Sequence, residues 1–151
     1  STSGQLIGGV HYLAGKAELD DVIYETNVPN GYIIPVAKTV TNPTILLESE
    51  RFTQMIEHCR QRFGVVLIDT PPSQSDLIAA AVDASSLVVL VTTPGPLDLD
   101  RMWETAKAID RPSSVLLTQT RANTVALRDA ERFLSDHGLA RFDATIPFKE
   151  A

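Results

Sequence analysis

Three apolar runs in this chain end in short polar segments, and those segments hold most of the side chains able to do chemistry. Val65-Val66-Leu67-Ile68 delivers Asp69-Thr70-Pro71-Pro72-Ser73, Leu87-Val88-Val89-Leu90-Val91 runs into Thr92-Thr93-Pro94-Gly95, and Val115-Leu116-Leu117 runs into Thr118-Gln119-Thr120-Arg121. An aspartate at the tip of a buried strand is what a nucleotide hydrolase uses to hold magnesium, directly or through water, beside phosphates in transfer. The plainer reading is that Asp69 ends its strand or opens a turn with Pro71. The Thr-Pro-Pro-Ser continuation favours the chemical reading. It sets a rigid loop with hydroxyls beside the carboxylate, and Pro71 and Pro72 remove backbone donors that a simple hairpin would use.

Other constellations carry less. Phosphoryl chemistry on such a sheet needs a glycine-rich loop ending in Lys and Ser or Thr, and these 151 residues contain none. Gly15-Lys16 comes nearest, but Val10 stands in place of the first glycine, Ala17 replaces the hydroxyl, and no β-rich run precedes it. Gly15 reads as a helix stop and Lys16 as solvated surface. His11, His58 and His137 are widely spaced and join no Cys or carboxylate at a metal-ligand interval, which argues against zinc. Ser73 and Ser75 lack the flanking glycines of a hydrolase nucleophile. Arg121, Arg128 and Arg132 form a basic cluster, but Arg128 and Arg132 share a helix with Asp129 and Glu131 and read as a mixed, solvated face.

The elements that must position these groups follow from periodicity. From Tyr32 onward, β-rich runs alternate with segments of helical period, the pattern of a parallel sheet with helical crossovers. Strands are expected at Tyr32 to Ala37, Val65 to Asp69, Leu87 to Thr92, Val115 to Thr118 and, more weakly, Arg141 to Ile146. Phe52, Met55, Ile56, Cys59 and Phe63 fall on one helical stripe, so Cys59 faces the core. Leu99, Met102, Trp103, Ala106 and Ile109 repeat the spacing in a segment that Asp98 would cap. Ala126, Ala130, Phe133 and Leu134 do so before Gly138, a C-terminal stop. Leu6, Ile7, Val10 and Ala14 suggest a short helix ended by Gly15, and Leu19, Val22 and Ile23 another. No repeat, linker or second domain is visible, so residues 1–151 read as one α/β domain: a doubly wound, mostly parallel sheet with helices on both faces.

Composition narrows the class further. The chain is 44% apolar and 21% charged, and its net charge of −6 argues against a uniformly basic nucleic-acid binder. A single cysteine precludes an internal disulfide and is compatible with a reduced, cytoplasmic setting. No stretch approaches the roughly 18 apolar residues that a membrane span requires.

The ordered segments resemble the ParA family of partition ATPases, within the ParA/MinD group of deviant P-loop proteins. Phe63 to Ser73 is similar to that family's Walker B segment, Leu87 to Thr93 with Pro94 to its next strand, Val115 to Thr124 to the strand and loop flanking the base, and Thr145-Ile146-Pro147 to a late segment lining the adenine. The resemblance implies a P-loop NTPase-like fold, incomplete at its N-terminus, that uses ATP and Mg2+. Asp69 would organise the metal and attacking water, Thr70 and Pro71 would shape its loop, and Thr118, Gln119 and Pro147 would border the base. Two departures stand out. The deviant Walker A loop with its lysines would precede Ser1, so the chain alone is expected to be inactive, and Asn123 stands where relatives often have an arginine. The implied parent is an ATPase of DNA partitioning that dimerises on ATP, binds DNA nonspecifically and meets a ParB-like centromere-binding partner.

A second resemblance, from Val28-Pro29-Asn30 through Asn42-Pro43 and Leu46 to Phe52, is to bacterial tyrosine autokinases, which share the fold and the Walker B strand. These usually carry a tyrosine-rich tail, and no Tyr follows Tyr32. The Thr118 to Thr124 segment fits partition proteins better, so partitioning is the primary expectation and the autokinase the alternative. A non-catalytic interaction module is the third reading.

Overall fold

The computed structural model describes residues 6–36, 43–71 and 74–149. Where a single domain is expected from sequence, the chain divides into two compact units, Ser1–Ala84 and Ser85–Ala151.

In the first unit, helix α1 (Gly9–Leu13) is followed by a 3-10 turn (Leu19–Asp21), the antiparallel strands β1 (Tyr24–Glu25) and β2 (Tyr32–Ile33), and helices α2 (Pro43–Leu47), α3 (Glu50–Arg62) and α4 (Ser75–Ala84). Helix α3 forms as the stripe predicts, with Phe52, Met55, Ile56 and Cys59 buried. Its N-cap is Ser49, whose Oγ accepts from the Phe52 amide at 3.4 Å. Phe52, Met55 and Ile56 close on Tyr12 and Val22 to form the core. Arg51 fastens α3 to the first helix, donating to the Tyr12 carbonyl at 2.7 Å while its guanidinium lies 4.2 Å over the Tyr12 ring.

Gly15 ends α1 as expected. At φ 75° it lets its own amide reach the Tyr12 carbonyl at 2.9 Å and the Lys16 amide reach that of His11 at 2.8 Å, the paired bonds that satisfy a helix's last carbonyls.

Three expectations change in this unit. The segment around Leu19 and Val22 is a single 3-10 turn that sinks Val22 completely. The strand expected at Tyr32 to Ala37 covers only Tyr32–Ile33, paired back on Tyr24–Glu25, and Ala37 lies outside the described residues. The Val65 to Asp69 run joins no ladder among the described residues. Val65 and Leu67 are 77% and 85% exposed, whereas Ile68 packs against the core. A fully apolar run becomes a strand only where neighbouring strands accept its backbone bonds and cover both its faces.

The second unit is a parallel sheet in the order β3 (Val88–Thr92), β4 (Ser113–Thr120), β5 (Ile146–Pro147). The connection from β3 to β4 is helix α5 (Pro96–Ala108), and that from β4 to β5 contains helix α6 (Val125–Asp136). This is the expected α/β arrangement of parallel strands and helical crossovers. Leu90, Val115 and Leu117 from the strands, Leu99 and Met102 from α5, and Ala130 and Leu134 from α6 form one core. Both helices therefore pack on the same sheet face, and Val89 and Val91, which alternate with Leu90, are 40% and 62% exposed.

Local chemistry sets the helix ends. Gly95, not Asp98, is the N-cap of α5, with Pro96 in the first turn where its missing amide costs nothing. Asp98 instead accepts a bond from the Thr93 hydroxyl. Thr124 caps α6 through its hydroxyl, and Gly138, at φ 66°, repeats the Gly15 device. The stripe on α6 shifts slightly, since Ala126 is exposed and Leu127 packs in its stead. The weak strand at Arg141 to Ile146 resolves into an isolated parallel bridge, Val115 to Arg141, and the two-residue β5. Among the described residues, no helix is long and apolar enough to cross a membrane.

Candidate functional site

The sequence-derived site residues form two constellations, one in each unit. In the first, Asp69, Thr70 and Pro71 follow one another on the extended segment after Ile68. Ile68 anchors the segment in the core, which leaves the Asp69 carboxylate and Pro71 exposed and Thr70 half-buried. Pro72 and Ser73 lie outside the described residues. No group of three or more His, Cys, Asp or Glu side chains that could hold a metal occurs among the described residues. Asp69 is thus an exposed hard oxygen donor outside any such group, of the kind suited to a cation that keeps most of its water, as magnesium does.

The second constellation is the carboxyl end of β4 and β5. Thr118 is half-buried, and its hydroxyl donates to the Thr92 carbonyl at 3.3 Å, tying β4 to β3. Gln119 follows at φ 53°, the left-handed region that a non-glycine residue enters only under local constraint. The β4–β5 register slips at this residue, since Thr118 pairs with Ile146 but Thr120 with Pro147. A bulge of this kind re-aims a side chain, and the Gln119 side chain is exposed. Thr118, Gln119 and Pro147 are therefore brought together, with Pro147 exposed at the strand end.

Two further residues of this end, Thr120 and Arg121, were given no place in the site from sequence. Thr120, 4% exposed, carries a hydroxyl 3.1 Å from that of Thr145 and 3.4 Å from the Ile146 carbonyl. Its own carbonyl accepts from the Phe148 amide at 2.9 Å. These bonds lock the bulge. Arg121, grouped with Arg128 and Arg132 in the sequence, places its guanidinium 4.9 Å from the centre of the Phe148 ring, a cation–π pair at the strand tips. The alternation of threonines with apolar residues along β4 is the signal for Thr120. Nothing local to Phe148 announces its pairing with Arg121.

Elsewhere in the first unit, an open hollow of about 380 Å³ lies against α3 and α4. Glu48, Glu57 and Asp83 stand on its lining, and its one lining cation, Arg60, is spent on the Ala84 carbonyl at 2.6 Å. The hollow offers an anionic phosphate little. Burial pushes the Cys59 thiol above its ordinary value, partly offset by the Arg62 charge, so it is a core residue and not a reactive thiolate.

Comparison with known proteins places the chain. Residues 6–119 match the family model described as an AAA domain, AAA_31. The chain belongs to this family. The matched span includes Asp69, Thr70, Pro71, Thr118 and Gln119. The chain is similar to the tyrosine-protein kinase CpsD of Streptococcus agalactiae, 35% identical over 119 residues that cover 76% of this chain and 51% of that protein. It is also similar to the tyrosine-protein kinase wzc of Salmonella typhi, 41% identical over 73 residues covering 48% of this chain and 10% of wzc. The chain thus spans about half the length of the CpsD relatives it matches. Among solved structures, the septum site-determining protein MinD of Pyrococcus horikoshii, complexed with Mg-ADP, shares the fold, with a TM-score of 0.70 at 21% identity over 95% of this chain and 59% of that one.

These findings correct the primary functional expectation. The AAA-domain chain keeps the expected ParA/MinD-type fold, but DNA partitioning gives way to the alternative, because the CpsD and wzc relatives are tyrosine-protein kinases. The misplaced weight came from the Thr118 to Thr124 segment. A bulge and a capping threonine are features of local fold, and fold does not by itself distinguish one activity from another.

Proposed function

We propose that this chain is the larger part of the nucleotide-binding domain of a protein-tyrosine kinase that uses Mg·ATP as phosphoryl donor. The observation that carries the reading is an exposed Asp69 carboxylate, at the end of an apolar segment, in a chain 35% identical to CpsD over 119 residues. The donor set fits the cofactors. Asp69 is a single hard oxygen donor for magnesium, and the exposed, constrained Gln119 and Pro147 present polar and flat surfaces at the carboxyl ends of parallel strands, where ligands of open α/β sheets bind.

When bound, Mg·ATP supplies the transferable phosphoryl group. Asp69 would orient the metal's water shell, and Thr70 and Pro71 would fix the direction of that carboxylate. Within the second unit, Thr118, tied to Thr92, and Thr120, tied to Thr145, fix Gln119 and Pro147 at the carboxyl ends of the strands. These 151 residues hold no glycine-rich loop ending in Lys and Ser or Thr, the phosphate grip of this fold, and the proposal is tested on the full-length protein.

The test is phosphotyrosine formation by the full-length protein with Mg·ATP, compared with its Asp69→Asn variant. Removing a carboxylate that organises the reacting groups should lower the rate by about a hundredfold or more, with the fold intact because Asp69 is exposed. A wild-type protein that neither binds ATP nor forms phosphotyrosine would overturn the reading, as would an Asp69→Asn variant of undiminished rate.

A further inference from the structure

We propose that Tyr32 is a phosphate acceptor and that the phosphate, once attached, is held by Arg62. The inference goes beyond the kinase reading above and takes from it only that tyrosine phosphorylation is the relevant chemistry.

The three tyrosines of the chain differ in what their hydroxyls can do. Tyr12 is buried at 6% exposure under Arg51. The Tyr24 hydroxyl already donates to the Ile7 carbonyl at 2.6 Å. Tyr32 is 40% exposed, its ring rests on Phe63 at 4.8 Å, and its hydroxyl has no hydrogen-bond partner among the described residues. It follows directly on a tight turn, in which Asn30 sits at φ 59° and the Thr26 hydroxyl donates to the Gly31 carbonyl at 2.9 Å. The ring is thus held in place in a residue that stays exposed, with its hydroxyl uncommitted among the described residues.

The charges around Tyr32 are arranged for an exchange. The Arg62 guanidinium lies 6.0 Å from the Tyr32 ring centre and forms an exposed ion pair with Asp20 at 2.9 Å. Such a pair contributes little and is easily traded. His58 Nε2 sits 4.0 Å from the same Asp20 oxygen and makes no hydrogen bond of its own. Glu25 stands directly across the hairpin from Tyr32. A phosphate of charge about −1.5 to −2 on Tyr32 is repelled by Glu25 and drawn to Arg62, with which it forms charge-assisted bonds stronger than the Arg62–Asp20 pair. Asp20, released, has His58 within reach.

In the transfer, the bond between the γ-phosphorus of a nucleoside triphosphate and its bridging oxygen breaks as the Tyr32 Oη–phosphorus bond forms. The nucleoside diphosphate leaves, and the hydroxyl proton passes to solvent.

The experiment uses the full-length protein in two arms: Mg·ATP alone, and Mg·ATP with a broad-specificity tyrosine kinase added. Tryptic cleavage after Lys16 and Lys38 yields one peptide carrying both Tyr24 and Tyr32, and fragment masses assign the phosphoryl group to one or the other. Modification of Tyr32 and not Tyr24 is expected, lost in Tyr32→Phe and kept in Tyr24→Phe. Arg62→Ala should speed removal of that phosphate by a phosphatase about tenfold. Modification of Tyr24, or of neither tyrosine in both arms, overturns the proposal, and so does a phosphate whose removal is indifferent to Arg62→Ala. Modification of Tyr32 only with the added kinase upholds the acceptor site, while total phosphotyrosine in the Mg·ATP arm, at whatever tyrosine, reads the kinase proposal, so the two fail separately.

Discussion

Replacing Thr120 with valine removes one hydroxyl from the interior of the β4–β5 bulge and almost nothing else, since the two side chains are nearly equal in size. Thr120 is 4% exposed, and its hydroxyl lies 3.1 Å from the Thr145 hydroxyl and 3.4 Å from the Ile146 carbonyl. A hydroxyl has a single hydrogen, so one of these contacts is donated and the other is accepted or weak. The 3.1 Å contact contributes about 1 kcal/mol net, and the longer one less. Thr145 is half-buried and recovers part of its loss from water. The expected destabilisation is therefore about 1–2 kcal/mol, or about 2–8 °C in midpoint temperature for a domain of this size. Urea unfolding should show a lower midpoint with an unchanged slope. Thr105→Val is the control: its hydroxyl bonds the Arg101 carbonyl at 3.0 Å on the exposed side of α5, and the change should stay within about 0.5 kcal/mol. Equal effects from the two substitutions would refute the view that Thr120 locks the bulge.

Two further outcomes follow from the cores. Leu134→Ala, at a position with 0% exposure among Leu90, Leu99, Met102, Val115 and Leu117, should cost about 3–4 kcal/mol in urea unfolding, against less than about 0.5 kcal/mol for Leu97→Ala, which is 72% exposed; similar losses would mean that α6 is not seated on the sheet as described. The Cys59 thiol, raised by burial from its ordinary value of 9.0, is held neutral by the fold, so the unfolded chain loses its proton first. Stability contributed by Cys59 is then complete below that value and declines as pH rises above it towards the folded value. Urea midpoints between neutral and alkaline pH should fall less steeply in Cys59→Ala than in the parent, and a steeper fall would refute the assignment.

Much of the fold was legible because its signals are local. The stripe of Phe52, Met55, Ile56 and Cys59 has one helical solution, and Gly15 and Gly138 end their helices at positive φ for reasons that lie within a few residues. Thr118 and Gln119 stand out as the polar end of an apolar run, whereas Pro147 enters only through the family resemblance. What was not legible depends on distant partners. Asp98 has the right type for a helix cap, but Thr93 claims its carboxylate and the cap passes to Gly95. The Arg121–Phe148 pair depends on β5 returning beside β4, which spacing along the chain does not encode. Activity was the least legible, because partition proteins and tyrosine kinases share a Walker B strand and a sheet.

Val65 to Asp69 has the composition of a strand and does not form one among the described residues. Its residues are almost uniformly apolar, the composition of a central parallel strand covered on both faces, yet Val65 and Leu67 are exposed and only Ile68 is packed. Val89 and Val91 on β3 are exposed in the same way, opposite a sheet face well filled by α5 and α6. Two separate runs of this chain, one in each unit, thus carry exposed apolar side chains. Their composition is that of interior strands, and interior strands acquire ladders from neighbours rather than from propensity. Residue type places Asp69 at the tip of its segment, whereas the strand itself would need neighbours that the described residues do not supply.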